Sequence, residues 1–145
     1  MAPRSKDSSL GPVFADSLRL LRRDFYARTK GLGLTPALAR LLLYVAREPD
    51  SRQTDLAARL EVTPVTLGRM VDRLVQRGYV RRLADPSDRR AYRLRITPAG
   101  EPTTAQLERI AAATRERALQ GFSAADRQRL LSLLGRLRSN LEEAG

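Results

Sequence analysis

The sequence predicts a mainly α-helical fold carrying a single β-hairpin, and three observations predict it. Apolar residues recur at steps of three and four along six stretches, the signature of helices with one buried face. The period changes to two only over Ala91 to Ile96, which reads as a half-buried strand. Two of the helices are short and separated by a tight turn, the second opening on Thr63 and Pro64. A helix, a tight turn, a second helix and then a hairpin form a winged helix-turn-helix.

The elements follow in order. Residues 1–9 are polar and aperiodic and read as a disordered arm. Leu10, Phe14, Leu18, Leu21 and Phe25 form one stripe of a first helix that ends near Gly31 and Gly33. Thr35 caps and Pro36 opens a second helix through Leu38, Leu41, Leu42 and Val45, which stops before Pro49, with Asp50 and Ser51 as a turn. A third helix covers Gln53 to Leu60 with Leu56, Ala57 and Leu60 inward, and a turn at Glu61 and Val62 follows. Thr63 then caps a fourth helix that runs to about Gln76 and buries Leu67, Val71 and Leu74. Tyr79 to Ala84 is the partner of the Ala91 to Ile96 strand, and Asp85, Pro86, Ser87 and Asp88 make the turn between them. Pro98 starts a long helix with Leu107, Ile110 or Ala111, Thr114 and Ala118 near heptad spacing, interrupted at Gly121. Ser123 caps the last helix, whose Leu130, Leu134, Leu137 and Leu141 form a seam thickened by Leu131 and Leu133. That seam exceeds what a monomer core needs, so either a second copy covers it or it packs on the first helix of the same chain. The domain reading is an arm over 1–9, a helical dimerisation region over 10–34 and 98–145, and a winged lobe over 35–97.

Composition narrows the function. Without cysteine or histidine the chain lacks disulfides, thiol redox sensing, zinc fingers and imidazole base chemistry. No phosphate-binding glycine loop or acidic cluster replaces them, so the reading is not an enzyme, with no cofactor and no metal. No apolar run approaches the roughly 20 residues of a membrane span, and the expected location is the cytoplasm. Net charge is +11, and 25 of the 27 basic residues are arginine. A GC-rich genome would scatter arginine, whereas here residues 98–145 carry only +1 and the stretch Arg77 to Arg95 alone carries +5. Concentrated guanidinium favours a polyanion.

With Leu67, Val71 and Leu74 buried, the opposite face of the fourth helix presents Pro64, Val65, Thr66, Gly68, Arg69 and Arg73. Thr66 and Arg69 are the expected base readers, Arg69 through two bonds to guanine, while Gly68 permits close backbone approach and Arg73 suits a phosphate. Arg89 and Arg90 occupy the hairpin tip, where an adjacent minor groove attracts guanidinium. Asp88 is expected to ion-pair with a neighbouring arginine and orient it, or simply to form the turn.

The segments TDLAARLEVTPVTLGRMVDRLVQRGYVRR and DPSDRRAYRLRITPAG, within Leu34 to Gly100, resemble the multiple antibiotic resistance regulator (MarR) family, and the tail is similar to its SlyA-like branch. The resemblance extends from about residue 10 to 142. It implies a triangular homodimer in which the first, fifth and sixth helices interlock and two winged lobes grip one pseudopalindromic double-stranded DNA site. It makes Pro64 to Gln76 the recognition helix and Arg90 the wing-tip arginine, with Asp88 its partner acid. Family members often bind small aromatic or anionic effectors between the dimer and DNA-binding regions, which implies Arg22, Phe25, Tyr26 and Tyr44 as candidates. This chain departs from the family at Leu38, Ala39 and Arg40, where an aromatic residue or glutamine is common. The expected function is a sequence-specific transcription regulator, by default a repressor, although displacing a silencing protein would activate through the same contacts. Two rivals are a nonspecific architectural DNA-binding protein, marked by steep salt dependence without sequence preference, and a winged helix protein interaction module, whose recognition face is normally less basic.

Overall fold

The computed structural model describes residues 9–144. The arm expected over 1–9 therefore lies outside the described residues, apart from Ser9, which forms the helical turn before the first helix. Ten elements follow: α1 (Leu10–Thr29), α2 (Pro36–Arg47), β1 (Ser51–Arg52), α3 (Gln53–Leu60), α4 (Pro64–Gln76), β2 (Val80–Ala84), β3 (Tyr92–Ile96), a 3-10 turn (Pro98–Gly100), α5 (Glu101–Ala118) and α6 (Ala124–Glu143). No helix among the described residues is long and apolar enough to cross a membrane.

Local chemistry sets the helix boundaries. The Thr35 and Thr63 hydroxyls accept the amides of Leu38 and Thr66, three residues on, and proline follows each cap. Ser123 and Asp126 form a reciprocal capping box at the start of α6. Between α3 and α4 the chain reverses through Glu61 in the left-handed region, φ 55°, while the Val62 amide donates to the Ala57 carbonyl. The expected start of the long helix at Pro98 shifts. Residues 98–100 form a tighter turn because the Thr97 hydroxyl accepts the Gly100 amide, and α5 begins at Glu101.

The core lies in the winged lobe. Leu41, Leu42 and Val45 of α2, Leu56 of α3, Leu67, Val71 and Leu74 of α4 and Leu94 of β3 are fully enclosed, joined by Leu107 of α5. Met70 completes the α4 stripe. Six of the twelve residues of α2 are buried, so this helix is the central post rather than an amphipathic cover. α1 differs from its expected stripe: Phe25 is buried, whereas Leu10, Phe14, Leu18 and Leu21 are exposed. α6 buries no residue at all in the single chain.

The sheet has three strands in the order β1-β3-β2, all antiparallel. β1 is a two-residue strand where a turn was expected: Ser51 and Arg52 pair with Leu94 and Arg93. The turn itself is made one residue earlier by Asp50, which adopts φ 64° and donates its amide to the Leu94 carbonyl. β2 and β3 are in register from Val80 with Ile96 to Ala84 with Tyr92, which puts Arg82 on the face toward α3 and α4 and Arg81, Arg93 and Arg95 on the outer face.

Candidate nucleic-acid interface

α4 presents a narrow exposed face at its N-terminal end. Pro64, Val65, Thr66, Arg69 and Arg73 are exposed and Gly68 is half-buried, while Leu67, Met70, Val71 and Leu74 hold the opposite side in the core. The Thr63 hydroxyl also donates to the Thr66 hydroxyl at 3.0 Å, so the first turn offers a pre-set pair of hydroxyls. A Cβ built on Gly68 would meet nothing within 4 Å, so packing within the chain does not require glycine there.

The hairpin loop is ordered by its own polar groups. The Asp85 amide donates to the Ala91 carbonyl at 3.1 Å, and the Ala91 amide donates to the Asp88 carbonyl at 3.1 Å. Of the two roles open to Asp88 in the sequence, ion-pairing and forming the turn, it takes the second. Its Oδ1 accepts the Arg90 backbone amide at 2.9 Å, an Asx turn two residues long that satisfies the carboxylate locally. The carboxylate that gathers arginines is Asp85, which the sequence marked only as a turn former. Arg52 Nε and Arg93 Nε donate to Asp85 Oδ2 at 2.8 and 2.9 Å, and the Ser87 hydroxyl and amide donate to Oδ1 at 2.7 and 2.9 Å. These donors hold the Asp85 carboxyl far below the usual carboxylate range, the Ser87 hydroxyl first and Arg93 next.

Arg82 joins the wing to the recognition helix. Its Nε donates to Gln53 Oε1 at 2.8 Å, and its Nη2 reaches both the Gly68 carbonyl at 3.2 Å and Asp72 Oδ1 at 2.7 Å. On the outer face Arg95 bonds Asp50 through two nitrogens at 2.9 and 2.7 Å, which relieves its placement opposite Arg81 and lowers the Asp50 pKa. The arginines of the sheet, the recognition helix and the wing loop thus divide in two, with Arg81 of β2 exposed and in no ion pair among the described residues. Arg52, Arg82, Arg93 and Arg95 are paired inside the chain. Arg69, Arg73, Arg89 and Arg90 are exposed, and no ion pair joins any of them to a carboxylate among the described residues.

The four effector candidates meet in one crevice between α1, α2 and α5. Arg22, Phe25, Tyr26 and Tyr44 line a space of about 200 Å³ together with Arg40 and Arg47. Phe25 and Tyr26 meet edge to face with centroids 5.7 Å apart, and the Arg59 guanidinium of α3 lies 5.6 Å from the Tyr44 ring centroid. Arg47 also bonds Glu108 of α5 through two nitrogens at 2.9 and 3.0 Å. Arg40 and Arg47 were missed by sequence reasoning, although they flank Tyr44 by four and three positions and so share its helix face.

Residues 32–91, from just before α2 to the wing tip, match the MarR family. The transcriptional regulator PA3341 is 35% identical, its structure superposes with a TM-score of 0.83, and the match covers 92% of this chain and 98% of that one. The chain belongs to the MarR family. MarR itself is 26% identical over 99% of this chain and 97% of its own, with a TM-score of 0.80. SlyA, a further transcriptional regulator, is 26% identical over 92% and 94%, with a TM-score of 0.76. The winged helix-turn-helix is thus the MarR fold, and this MarR family chain is a non-enzymatic DNA-binding regulator.

Proposed function

We propose that this MarR family chain is a homodimeric repressor that reads a pseudopalindromic double-stranded DNA site in the cytoplasm. In this reading α4 enters the major groove with Pro64, Val65, Thr66, Gly68, Arg69 and Arg73, and the wings lay Arg89 and Arg90 in flanking minor grooves. Asp88 serves the wing by fixing the Arg90 backbone. The observation that carries the reading is the division of the arginines. Five exposed guanidinia on the recognition helix and the wing, Arg69, Arg73, Arg81, Arg89 and Arg90, are joined to no carboxylate among the described residues, whereas only Arg40 and Arg77 are without an ion pair elsewhere in the lobe. The dimer is supported by the exposed apolar residues of α1 and α6, including Leu18, Leu131 and Leu141, which a second copy would cover.

A small aromatic anion is the effector class that suits the crevice, with Phe25, Tyr26 and Tyr44 for its ring and Arg22 and Arg40 for its charge, Arg47 being held by Glu108. Occupancy would alter the contact of α2, in the winged lobe, with α5 and so weaken DNA binding.

The deciding experiment is selection of bound duplexes from a random-sequence pool, with recovered sites checked at about 150 mM salt, where exposed charges are largely screened. The expected result is an enriched inverted repeat with half-sites about one helical turn apart. Retention without enrichment would make the protein an architectural DNA binder, and no retention would make it a protein interaction module.

A further inference from the structure

Asp85 is the one buried charged residue among the described residues. Enclosing a carboxylate is costly unless it is paired and fully hydrogen-bonded, and here the two bonds from Ser87 are local to the loop while the two from Arg52 and Arg93 tie it to other strands of the lobe. Arg52 belongs to β1 and is the residue from which α3 starts. Arg93 lies on β3, and Ser87 lies in the wing loop. A cross-link closes the set, with Arg52 Nη2 donating to the Ser87 hydroxyl at 2.9 Å. The first residues of the wing loop are therefore fastened to the start of the helix-turn-helix by a cluster of two cations and one anion.

We infer that Asp85 is a positioning residue for DNA recognition: it sets the direction in which the wing carries Arg89 and Arg90 relative to α4, and it withholds Arg52 and Arg93 from phosphate. The inference rests on the DNA-binding reading above. Specific affinity needs the wing at a set distance from the recognition helix, whereas nonspecific affinity needs only free cations. Asp85 favours the first and restrains the second. A residue that only stabilised the fold would change both in proportion, through the fraction of folded protein.

The test is Asp85→Asn in the full-length protein. The amide keeps the shape and an acceptor for Ser87 but loses the charge that gathers the two guanidinia. Affinity for a duplex of random sequence should rise several-fold with a steeper salt dependence, while affinity for the duplex selected by the wild-type protein should fall. The ratio of the two should drop by about tenfold. Arg90→Ala should cost less in the Asp85→Asn background than in the wild type, because a misdirected wing has less to lose. Should Asp85→Asn fail to fold, Arg52→Gln leaves Asp85 paired with Arg93 and permits the same cycle with Arg90→Ala. Proportional loss of both affinities, or an unchanged cost of Arg90→Ala in whichever variant folds, would overturn the inference while leaving the DNA-binding reading intact. A wild-type protein that selects no site from the pool would overturn both.

Discussion

Gly68 separates the needs of the fold from those of recognition. Glycine inside a helix costs about 1 kcal/mol relative to alanine, and nothing in the chain requires it here, since a Cβ would enter open space. Gly68→Ala should therefore stabilise the protein by about 1 kcal/mol in urea unfolding and at the same time weaken operator binding. A stabilised variant with unchanged affinity would remove Gly68 from the interface. The two arginine positions should differ in kind. Arg69→Ala is expected to cost roughly 1–3 kcal/mol on the selected site and to relax base preference at one position. Arg90→Ala should weaken binding more evenly across sequences and flatten the salt dependence. Titrating affinity against salt for both variants distinguishes them. Asp24 makes a different kind of prediction. It accepts from Arg28 and Thr114 at 2.7 Å each and from Arg117 at 2.5 Å, which lowers its pKa from 3.8 to about 2, with Arg28 the largest cause. A depressed carboxyl contributes stability above its unfolded pKa and loses it as pH falls through the folded value. The melting advantage of wild type over Asp24→Asn should be complete above about pH 5, decline below pH 4 and vanish only below about pH 2.

At the scale of elements, the helix-turn-helix was legible because its signals are local. Thr63 and Pro64 mark the start of α4 and the apolar spacing marks its buried face, both within a few residues of the feature they specify. The join between β3 and α5 has the same local character but a stricter geometry. The Thr97 hydroxyl bonds the Gly78 carbonyl, the Thr97 amide donates to the Tyr79 carbonyl at 3.0 Å, and a Cβ on Gly100 would lie 2.3 Å from that Tyr79 oxygen. Backbone cannot yield as a flexible side chain would. Gly100→Ala should thus destabilise the protein by about 2 kcal/mol, measured as a shift in the urea midpoint. β1 escaped sequence reasoning because two residues carry no periodicity and their partner, β3, lies some forty positions later. The paired state of Arg52, Arg82, Arg93 and Arg95 was hidden for the same reason: all four arginines lie on strands, and strand register decides which carboxylate each one reaches.

The whole molecule is lopsided: a closed core in the winged lobe, and long helices α1 and α6 whose apolar residues face outward. Leu131 is 71% exposed in the single chain, so Leu131→Glu should be nearly neutral for a monomer. In the proposed dimer it should dissociate the protein and abolish operator binding, which sedimentation and binding at matched concentrations would reveal. A variant that stays dimeric would move the interface elsewhere. By itself the sequence determined the helices, their caps, the hairpin and the concentration of arginine around the wing, because each depends on neighbours within a few positions. Only the tertiary structure decided which arginines are free and which are held, that Asp85 rather than Asp88 gathers them, and that Arg40 and Arg47 join the aromatic residues of the crevice. Those outcomes depend on distances between residues far apart along the chain, which periodicity does not encode and packing of the core imposes.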